Sequence, residues 1–264
     1  AIAGASYQGV FRNPLADPYL LGAAAGAGLG ATLVIAYAPT MGLGPVSVLP
    51  LAAFAGALGG VGLAYGLGAA AARGGGGNAT LLLAGIAVAA FLTAMQTLVQ
   101  QSHVEDLRVI YSWILGQLGT ADWPTLRLML PYAVLAVVVL LLAARALDVL
   151  AVGEDEAASL GIRPRRVRFV VLAAASLGTA AAVAVSGLIG FVGLVVPHIV
   201  RRLAGGSYRV VLPVSLGVGA AFLVSADLLA RTLIAPAELP IGVVTAFVGA
   251  PFFAVLLRVG GNST

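Results

Sequence analysis

Long apolar stretches, separated by short breaks rich in Gly and Pro, dominate this sequence of 264 residues. A helix needs about 20 mostly apolar residues to cross a bilayer. After an apolar remnant at residues 1–10, candidate spans lie near 19–38, 45–71, 79–102, 125–145, 166–186, 190–204, 208–230 and 240–258, of which 190–204 is short. The pattern predicts an all-α, polytopic transmembrane protein that forms a single domain over residues 1–264.

The composition fits a chain surrounded by lipid. Hydrophobic residues make up 61% of the chain and charged residues only 9%, whereas soluble domains carry about 25% charged residues. Turn-forming residues mark the predicted breaks, at 13–14, 39–45, 73–78, 153–164, 205–207 and 236–240. Glycines within 22–30 and 56–62 are expected to let neighbouring helices approach closely.

The basic residues give the predicted spans an orientation. All 14 are arginines, and alternating connections divide them 11 to 3. One side then holds Arg12, Arg73, Arg145, Arg163, Arg165, Arg166, Arg168, Arg201, Arg202, Arg209 and Arg258, and the other holds Arg108, Arg127 and Arg231. The positive-inside rule places the larger group, and with it the C-terminus, in the cytoplasm. Because apolar runs separate the arginines, membrane topology and anionic lipid explain them better than a nucleic-acid partner.

The largest polar connection runs from Leu147 to Arg168, on the side predicted to be cytoplasmic. Gly153 is expected to end one short segment, and three acids after it favour the start of a new helix. Gly161 is expected to close that helix. The pattern predicts two short helices beside the membrane, serving either as a solvated connector or as a docking surface for a cytoplasmic partner.

One predicted span carries polar residues at helical spacing. Thr93, Gln96, Thr97 and Gln100 recur at i, i+3, i+4 and i+7, which is one side of a helix. Such side chains either form hydrogen bonds between helices or line a translocation pathway. Both interpretations stay open at this point.

Two further features lie on the side predicted to be external. The segment 108–119 is too short to span, and it is expected to form an interfacial helix with Tyr111, Trp113 and Trp123 either at headgroup depth or packed internally. Asp227 and Arg231, four residues apart, can pair along a helix.

The sequence lacks the residues of several enzyme classes. It has no cysteine, two histidines far apart and no lysine. A phosphate-binding loop of the form Gly-x-x-x-x-Gly-Lys-Ser/Thr is therefore absent. If this chain takes part in ATP-driven transport, hydrolysis takes place on another chain.

Several segments together carry a family resemblance. They are residues 8–18 (QGVFRNPLADP), 83–87 (LAGIA), 153–154 with 158–161 (GE and ASLG), 187–198 (GLIGFVGLVVPH), 226–231 (ADLLAR), and 238–242 with 249–253 (ELPIG and GAPFF). In this order they resemble the permease family of type II ABC importers for iron-siderophores, haem and cobalamin, the BtuC-like, FecCD-type family. Family members have ten spans, so the first span and part of the second are expected to be missing from this sequence.

The resemblance implies a set of partners and a location. A second permease, as a homodimer, would complete the pathway. Two cytoplasmic ATPases would hold ATP and Mg²⁺, and a periplasmic or lipid-anchored binding protein would deliver the cargo. This chain would bind no cofactor or metal itself. It would lie in a bacterial or archaeal cell membrane, the inner membrane in a Gram-negative cell, and an iron-siderophore leads over haem and cobalamin as cargo.

The resemblance also implies roles for individual residues. Thr93 to Gln100 would belong to the gating span, and Arg108 to Leu118 to the short outer helix beside it. Asn13 and Leu15 would narrow the inner mouth of the pathway. Arg231 would meet carboxylates of the binding protein, as an alternative or addition to Asp227. The ATPase coupling helix would comprise Glu154, Asp155, Glu156, Ala157, Ala158, Ser159, Leu160 and Gly161, within a loop at about 147–165.

Three other functions compete with this interpretation. An ion-coupled secondary transporter would need intramembrane acids or broken helices at the midplane, and the sequence offers little of either. A permease of the metal-ion ABC importers would favour histidines or carboxylates along its route. A membrane enzyme is disfavoured, because no nucleophile–base pair or metal cluster can be assembled from the sequence.

Overall fold

The computed structural model describes residues 1–40, 42–43, 46–72, 78–119 and 122–260. Arg73 and Pro45, which belong to two predicted breaks, lie outside the described residues. The elements are α1 Ile2–Phe11, a 3-10 turn Pro18–Leu21, α2 Ala23–Tyr37, β1 Gly42–Leu43, β2 Val46–Ser47, α3 Val48–Ala72, α4 Asn78–Ser102, a 3-10 turn Val104–Asp106, α5 Leu107–Ile114, α6 Trp123–Val152, α7 Glu154–Ser159, α8 Pro164–Ser186, α9 Val192–Ala204, α10 Tyr208–Thr232 and α11 Ile241–Gly260.

The prediction of an all-α, polytopic transmembrane fold is confirmed. Five helices of the described chain, α3, α4, α6, α8 and α10, are long and apolar enough to cross a membrane. Helices α2 and α11 are apolar but shorter. The only strands in the described ranges form a two-residue antiparallel pair, with Gly42 opposite Ser47 and Leu43 opposite Val46.

The predicted span at 19–38 is wrong at its start. Asp17 accepts a hydrogen bond from the Tyr19 N–H at 2.8 Å, which fixes a 3-10 turn over Pro18–Leu21. Gly22 then adopts a left-handed conformation with φ 83°, and α2 begins only at Ala23. The apolar residues of the turn extended the hydrophobic pattern beyond the helix that they precede.

The structure also corrects the prediction for the segment after residue 145. The sequence predicted a separate short helix ending at Gly153, but α6 continues without a break to Val152. Its buried stripe of Ala136, Leu140, Ala144, Leu147 and Leu150 has helical spacing throughout. The connection to α8 therefore contains one short helix, α7, and not two.

Glycines bring α2 and α3 into direct backbone contact, as predicted. Any Cβ added at Gly26 would collide with the Gly56 carbonyl oxygen, and one at Gly30 with that of Ala52. Close approach of this kind supplies packing energy that the hydrophobic effect cannot supply between helices in lipid. Gly59 and Gly62 of the same predicted group face open space instead.

Helix α1 lies in the centre of the bundle and contacts α6, α8, α9 and α10. Tyr7 is fully buried there, and its hydroxyl shares a 2.7 Å hydrogen bond with Ser176 of α8. Leu147 of α6 and Val171 of α8 belong to the same core cluster. The core thus connects the first helix of this chain to helices more than 100 residues away.

The bundle has two ends that differ in charge. At one end α1, α6 and α9 finish and α8 and α10 begin, as shown by contacts between Asp148 and Ser207 and between Gln8 and Arg201. This arginine-rich end carries Arg12, Arg145, Arg163, Arg165, Arg166, Arg168, Arg201, Arg202, Arg209 and, in the last turn of α11, Arg258. The opposite end holds Arg108, Arg127 and Arg231. The grouping agrees with the sequence, and the cytoplasmic location of the arginine-rich end stays a prediction.

Candidate functional site

A single short helix, α7, joins α6 to α8 at the arginine-rich end. Gly153 precedes it with extended backbone, and the Glu156 carboxylate occupies the space that a Cβ of Gly153 would need. Glu154 is its first residue, and the placement of that side chain lies outside the described part of the structure. The next long helix, α8, begins at Pro164, so the loop predicted at 147–165 narrows to residues 153–163.

The end of α7 is fixed by its backbone, as the sequence predicted for Gly161. The Gly161 N–H donates to the Ala158 carbonyl, and the Ile162 N–H donates to the Ala157 carbonyl, both at 3.0 Å. This pair of bonds around a left-handed residue, with φ 79° at Gly161, is a Schellman motif. The motif turns the chain sharply toward α8.

Most of α7 is directed away from the bundle. Ala157 is fully buried and anchors the helix, whereas Asp155, Glu156, Ala158 and Ser159 are exposed. Leu160 follows with 69% of its surface exposed. A short, acidic helix held firmly at both ends, with an uncovered apolar residue beside it, has the form of a docking element.

Asp148 connects the region just before α7 to a distant helix. Its carboxylate accepts hydrogen bonds from the Ser207 hydroxyl at 2.9 Å, the Tyr208 N–H and the Arg209 Nε at 3.1 Å. It therefore caps α10 from outside that helix, which satisfies the N-terminal amide and complements the helix dipole. No local sequence pattern predicts this role of Asp148, because its partners lie about 60 residues away.

A second polar link at this end ties α9 to α1. Gln8 donates from Nε2 to the Gly193 carbonyl at 3.0 Å and accepts a hydrogen bond from Arg201 at Oε1. The Arg201 guanidinium lies 5.5 Å from the centroid of the Tyr208 ring. Residues on α1, α9 and α10 thus form a continuous polar contact at the level of the Asp148 cap.

The polar residues of α4 do not all point the same way. Gln96 is buried against α2, so closely that a Cβ on Gly28 would lie 2.8 Å from its Oε1. Thr93 and Thr97 are exposed, and the Thr97 hydroxyl donates to the Thr93 carbonyl at 2.9 Å. Gln100 is half-buried. Gln96 therefore belongs to helix packing, and the two threonines present a surface that other chains or a pathway could contact.

The turn after α1 is built from local hydrogen bonds. Arg12 ends the helix in a left-handed conformation with φ 50°. The Asn13 side chain then accepts from the Leu15 N–H at 2.9 Å, and the Leu15 side chain remains 45% exposed. Both residues lie beyond the last turn of α1 at the arginine-rich end, where the resemblance places the inner mouth of a pathway.

The opposite end contains the short helix predicted at 108–119, but this helix, α5, covers only Leu107–Ile114. Trp113 is 7% exposed and belongs to the core, whereas Tyr111 and Trp123 are 52% and 71% exposed. Of the three aromatics, only Tyr111 and Trp123 can therefore reach headgroups. Asp122 caps α6 through the Thr125 N–H, and its hydrogen bonds with Thr125 hold the Asp122 pKa below its usual range.

Arg231 pairs with Asp227 along α10. The Nε to Oδ2 distance is 2.8 Å, and the arginine side chain remains 42% exposed. Glu238 lies nearby, since a Cβ on Gly119 would be 3.5 Å from a Glu238 carboxylate oxygen and 4.0 Å from Arg231 Nη2. Arg231 thus has an intramolecular partner and still presents part of its guanidinium to the outside.

Known proteins share both the sequence and the fold. The chain is 42% identical to the ABC transporter permease protein YvrB of Bacillus subtilis, covering 97% of this chain and 72% of the relative. It is 44% identical to the cobalamin import system permease protein BtuC of Halobacterium salinarum, covering 98% and 68%, and 42% identical to the hemin transport system permease protein HmuU of Yersinia pestis, covering 97% and 77%.

The fold is also similar to that of a solved ABC transporter structure. An inward-facing conformation of an ABC transporter assigned to the metal-chelate type superimposes with a TM-score of 0.86 at 31% identity, covering 98% of this chain and 80% of that one. The model of the FecCD transport family matches residues 1–259. This chain is therefore a multi-pass membrane protein that belongs to the FecCD transport family.

Proposed function

We propose that this chain is the permease subunit of a type II ABC importer and forms the translocation pathway together with a second copy of itself. ATP and Mg²⁺ are bound by two separate cytoplasmic ATPase chains, and an external binding protein delivers the cargo. The observation that carries the proposal is α7, an exposed acidic helix fixed between α6 and α8 at the arginine-rich end.

The contacts around α7 support a coupling role. Only Gly153 separates α6 from α7, and Asp148, five residues before Gly153, is hydrogen-bonded to the start of α10. A displacement of α7 by a bound ATPase would therefore move α6 and α10 together. The permease needs no chemistry of its own for this, because partners that prefer different conformations shift the population between them.

The proposed cargo is a chelated metal. Relatives named for cobalamin, hemin and Fe(3+) dicitrate import match this chain at 44%, 42% and 39% identity, which favours the class they share. Within this class of metal chelates, an iron-siderophore leads over haem and cobalamin as the proposed cargo. Thr93 and Thr97 would line or gate the route from α4, Gln96 and Gln100 would position that helix, and Asn13 and Leu15 would narrow the inner mouth.

Proteoliposomes containing the chain, its cognate ATPase and its binding protein test this proposal. We expect ATP-dependent uptake of the chelate that the binding protein retains. Ala158→Trp adds bulk on the exposed face of α7, and we expect it to reduce uptake at least about tenfold, an energetic loss of roughly 1.4 kcal/mol, while ATP hydrolysis continues. Charge reversal of Glu154 to Glu156 should uncouple the two activities in the same way.

The matched control is Ala221→Trp, an equally bulky change at an exposed alanine midway along α10, away from both ends of the bundle. It should leave both uptake and ATP hydrolysis unchanged. Full uptake by Ala158→Trp would reject α7 as the coupling helix. Uptake by the chain without any ATPase would reject the ABC importer in favour of an ion-coupled transporter, and uptake of free metal ions would favour a metal-ion importer.

A further inference from the structure

Helix α9 begins partway along the bundle. It has 13 residues, against 23 in α8, which corresponds to a length of about 20 Å at 1.5 Å per residue. Its second residue packs against α1, since a Cβ added at Gly4 would collide with the Gly193 carbonyl. The chain reaches this point from the opposite end of the bundle through residues 187–191, which are not helical.

Phe191, the last residue of this non-helical stretch, has a left-handed backbone with φ 67° and ψ −25°. In the described part of the chain, only one other residue besides glycine, Arg12, has a positive φ. The Val192 N–H donates to the Gly190 carbonyl at 2.9 Å and closes a three-residue turn around Phe191. Such turns with a positive φ are rare and strained. Phe191 therefore needs contacts elsewhere that hold it in this conformation.

The ring of Phe191 makes such a contact with α11. It fills the space beside Gly249, where an added Cβ would collide with the ring. The Phe253 ring, one turn further along α11, lies 6.4 Å from the Phe191 ring between centroids. Gly249 is buried and Phe191 is half-buried. The left-handed residue before α9 and the glycine in α11 therefore depend on each other.

The start of α11 is held differently from the rest of that helix. Its first turn is tied to the segment after α5 by a backbone hydrogen bond, in which the Gly242 N–H donates to the Leu115 carbonyl at 3.0 Å. Further along, α11 packs on α9 and α10. Rings form its contact with α9, at Phe191 and between His198 and Phe252, whose centroids are 5.6 Å apart. Loss of these ring contacts would let α11 pivot about its first turn.

The contact between Phe191 and Gly249 also borders an apolar crevice between α5, residues 187–191 and α11. The volume of the crevice is about 530 Å³. Phe191 lines it from the side of α9, and Ala246 and Phe247 line it from α11. A movement of α11 away from Phe191 therefore changes the width of the crevice directly.

We propose that Phe191 is a positioning residue for transport, which holds α11 in the inward-facing arrangement by filling the space beside Gly249 and releases α11 when it leaves that space. The inference rests on the proposed transport function. The solved transporter that this fold resembles is inward-facing, so the formed contact belongs to that arrangement. Release loses packing but relaxes the strained backbone of Phe191. The two effects oppose each other, which keeps the two arrangements close in free energy, as a conformational switch requires.

Distances between two spin labels on the full chain in lipid nanodiscs test the proposal. The sequence has no cysteine, so Leu203→Cys and Val255→Cys create the only two labelling sites, both exposed and distant from the first turn of α11. Dilution with unlabelled chain restricts the signal to distances within one chain. We expect one dominant distance in the otherwise unaltered protein. Gly249→Ala should raise the ratio of longer to shorter distances at least about tenfold, because the added methyl collides with the Phe191 ring.

Two further variants separate this contact from general effects on packing. Phe191→Ala removes the other half of the contact and should shift the distances in the same direction. Combining it with Gly249→Ala should add no further shift, because both changes act on one contact. Gly217→Ala is the matched control, since it makes the same change in α10, where a Cβ meets nothing within 4 Å. It should leave the distances unchanged.

Uptake by the same variants tests whether transport uses the contact. With the ATPase and the binding protein present, Gly249→Ala should import cargo about tenfold more slowly than Gly217→Ala. Unchanged distances in Gly249→Ala or in Phe191→Ala would overturn the proposal, and so would shifted distances with unchanged uptake. Absence of ATP-dependent uptake by the unaltered chain would instead reject the proposed function, since the distance measurement needs neither ATP nor the ATPase.

Discussion

The two ends of the bundle are held together by different chemistry. At the arginine-rich end, polar side chains join helices that are distant in sequence, as Asp148 does with Ser207 and Gln8 with Arg201. At the opposite end the links are between backbones. The Leu115 carbonyl accepts from the Gly242 N–H at 3.0 Å, and the Ser186 carbonyl accepts from the Gln117 N–H at 2.9 Å.

This difference determines which substitutions should destabilise each end. Helices joined by side chains separate when a side chain is removed. Backbones joined directly need small residues, and a Cβ at Gly187 or Gly242 would collide with a carbonyl oxygen of Trp113 or Leu115. The arginine-rich end should therefore be sensitive to truncation, and the opposite end to added methyl groups.

The largest expected effect comes from Gly187→Ala at the opposite end. Gly187 has φ 68° and ψ −161°, a conformation that only glycine adopts readily, and its missing Cβ makes room for the Trp113 carbonyl. Strain and collision together should cost about 3 kcal/mol of unfolding free energy. The midpoint of unfolding in detergent measures the loss.

Gly190→Ala is the matched control for that variant. It lies three residues away, and a Cβ there meets nothing within 4 Å. It should change stability by less than about 0.5 kcal/mol. Equal losses in the two variants would contradict the explanation from close backbone contact.

Asp148→Ala should have the next largest effect, at the arginine-rich end. It removes an N-cap and leaves the Ser207 hydroxyl and the Tyr208 N–H without their acceptor. We expect a loss of about 2 kcal/mol in the same unfolding measurement. Because α10 would lose its tie to α6, the coupled transport rate should fall as well. If Asp148→Ala were as stable as the wild-type protein, water could replace the carboxylate as the cap of α10.

The smallest stability effect is expected at Arg231. Its pair with Asp227 is partly exposed and local, so Arg231→Glu should cost about 0.5 kcal/mol. If Arg231 also contacts the binding protein, the same change should weaken docking about fivefold at low salt. Arg127→Glu, an exposed reversal on the same side, is the control. If the docking affinity were unaltered, the role of Arg231 would be limited to its ion pair with Asp227.

The sequence located helices well where glycine and proline interrupt an apolar run. It failed at residues 147–152, which the sequence pattern places in a polar connection with a short helix of its own, whereas α6 in fact continues through Asp148 to Val152. The charge is tolerated there because Arg209 and the start of α10 compensate it. It also failed at the start of α2, where three apolar residues, Tyr19 to Leu21, form a turn fixed by Asp17.

The sequence likewise predicts only part of the candidate site. The limits of α7 follow from Gly153 and Gly161, and both were read from the sequence because capping is a local property. The sequence could not predict that Gln96 faces Gly28. Helical periodicity shows which residues share a face of α4, but not which helix that face contacts. The apolar groove beside Phe169, lined by α3, α6 and α8, requires three helices and has no sequence pattern of its own.

The sequence by itself determined that this chain lies in a membrane, which segments are helical, and how its arginines divide between two ends. These properties follow from apolar length, local backbone preference and the cost of moving charge across lipid. Only the tertiary structure decided that Asp148 caps α10, that Gln8 holds Arg201, and that an apolar groove lies between α3, α6 and α8. Those contacts join residues far apart in the chain, so they depend on which helix faces meet when the bundle packs.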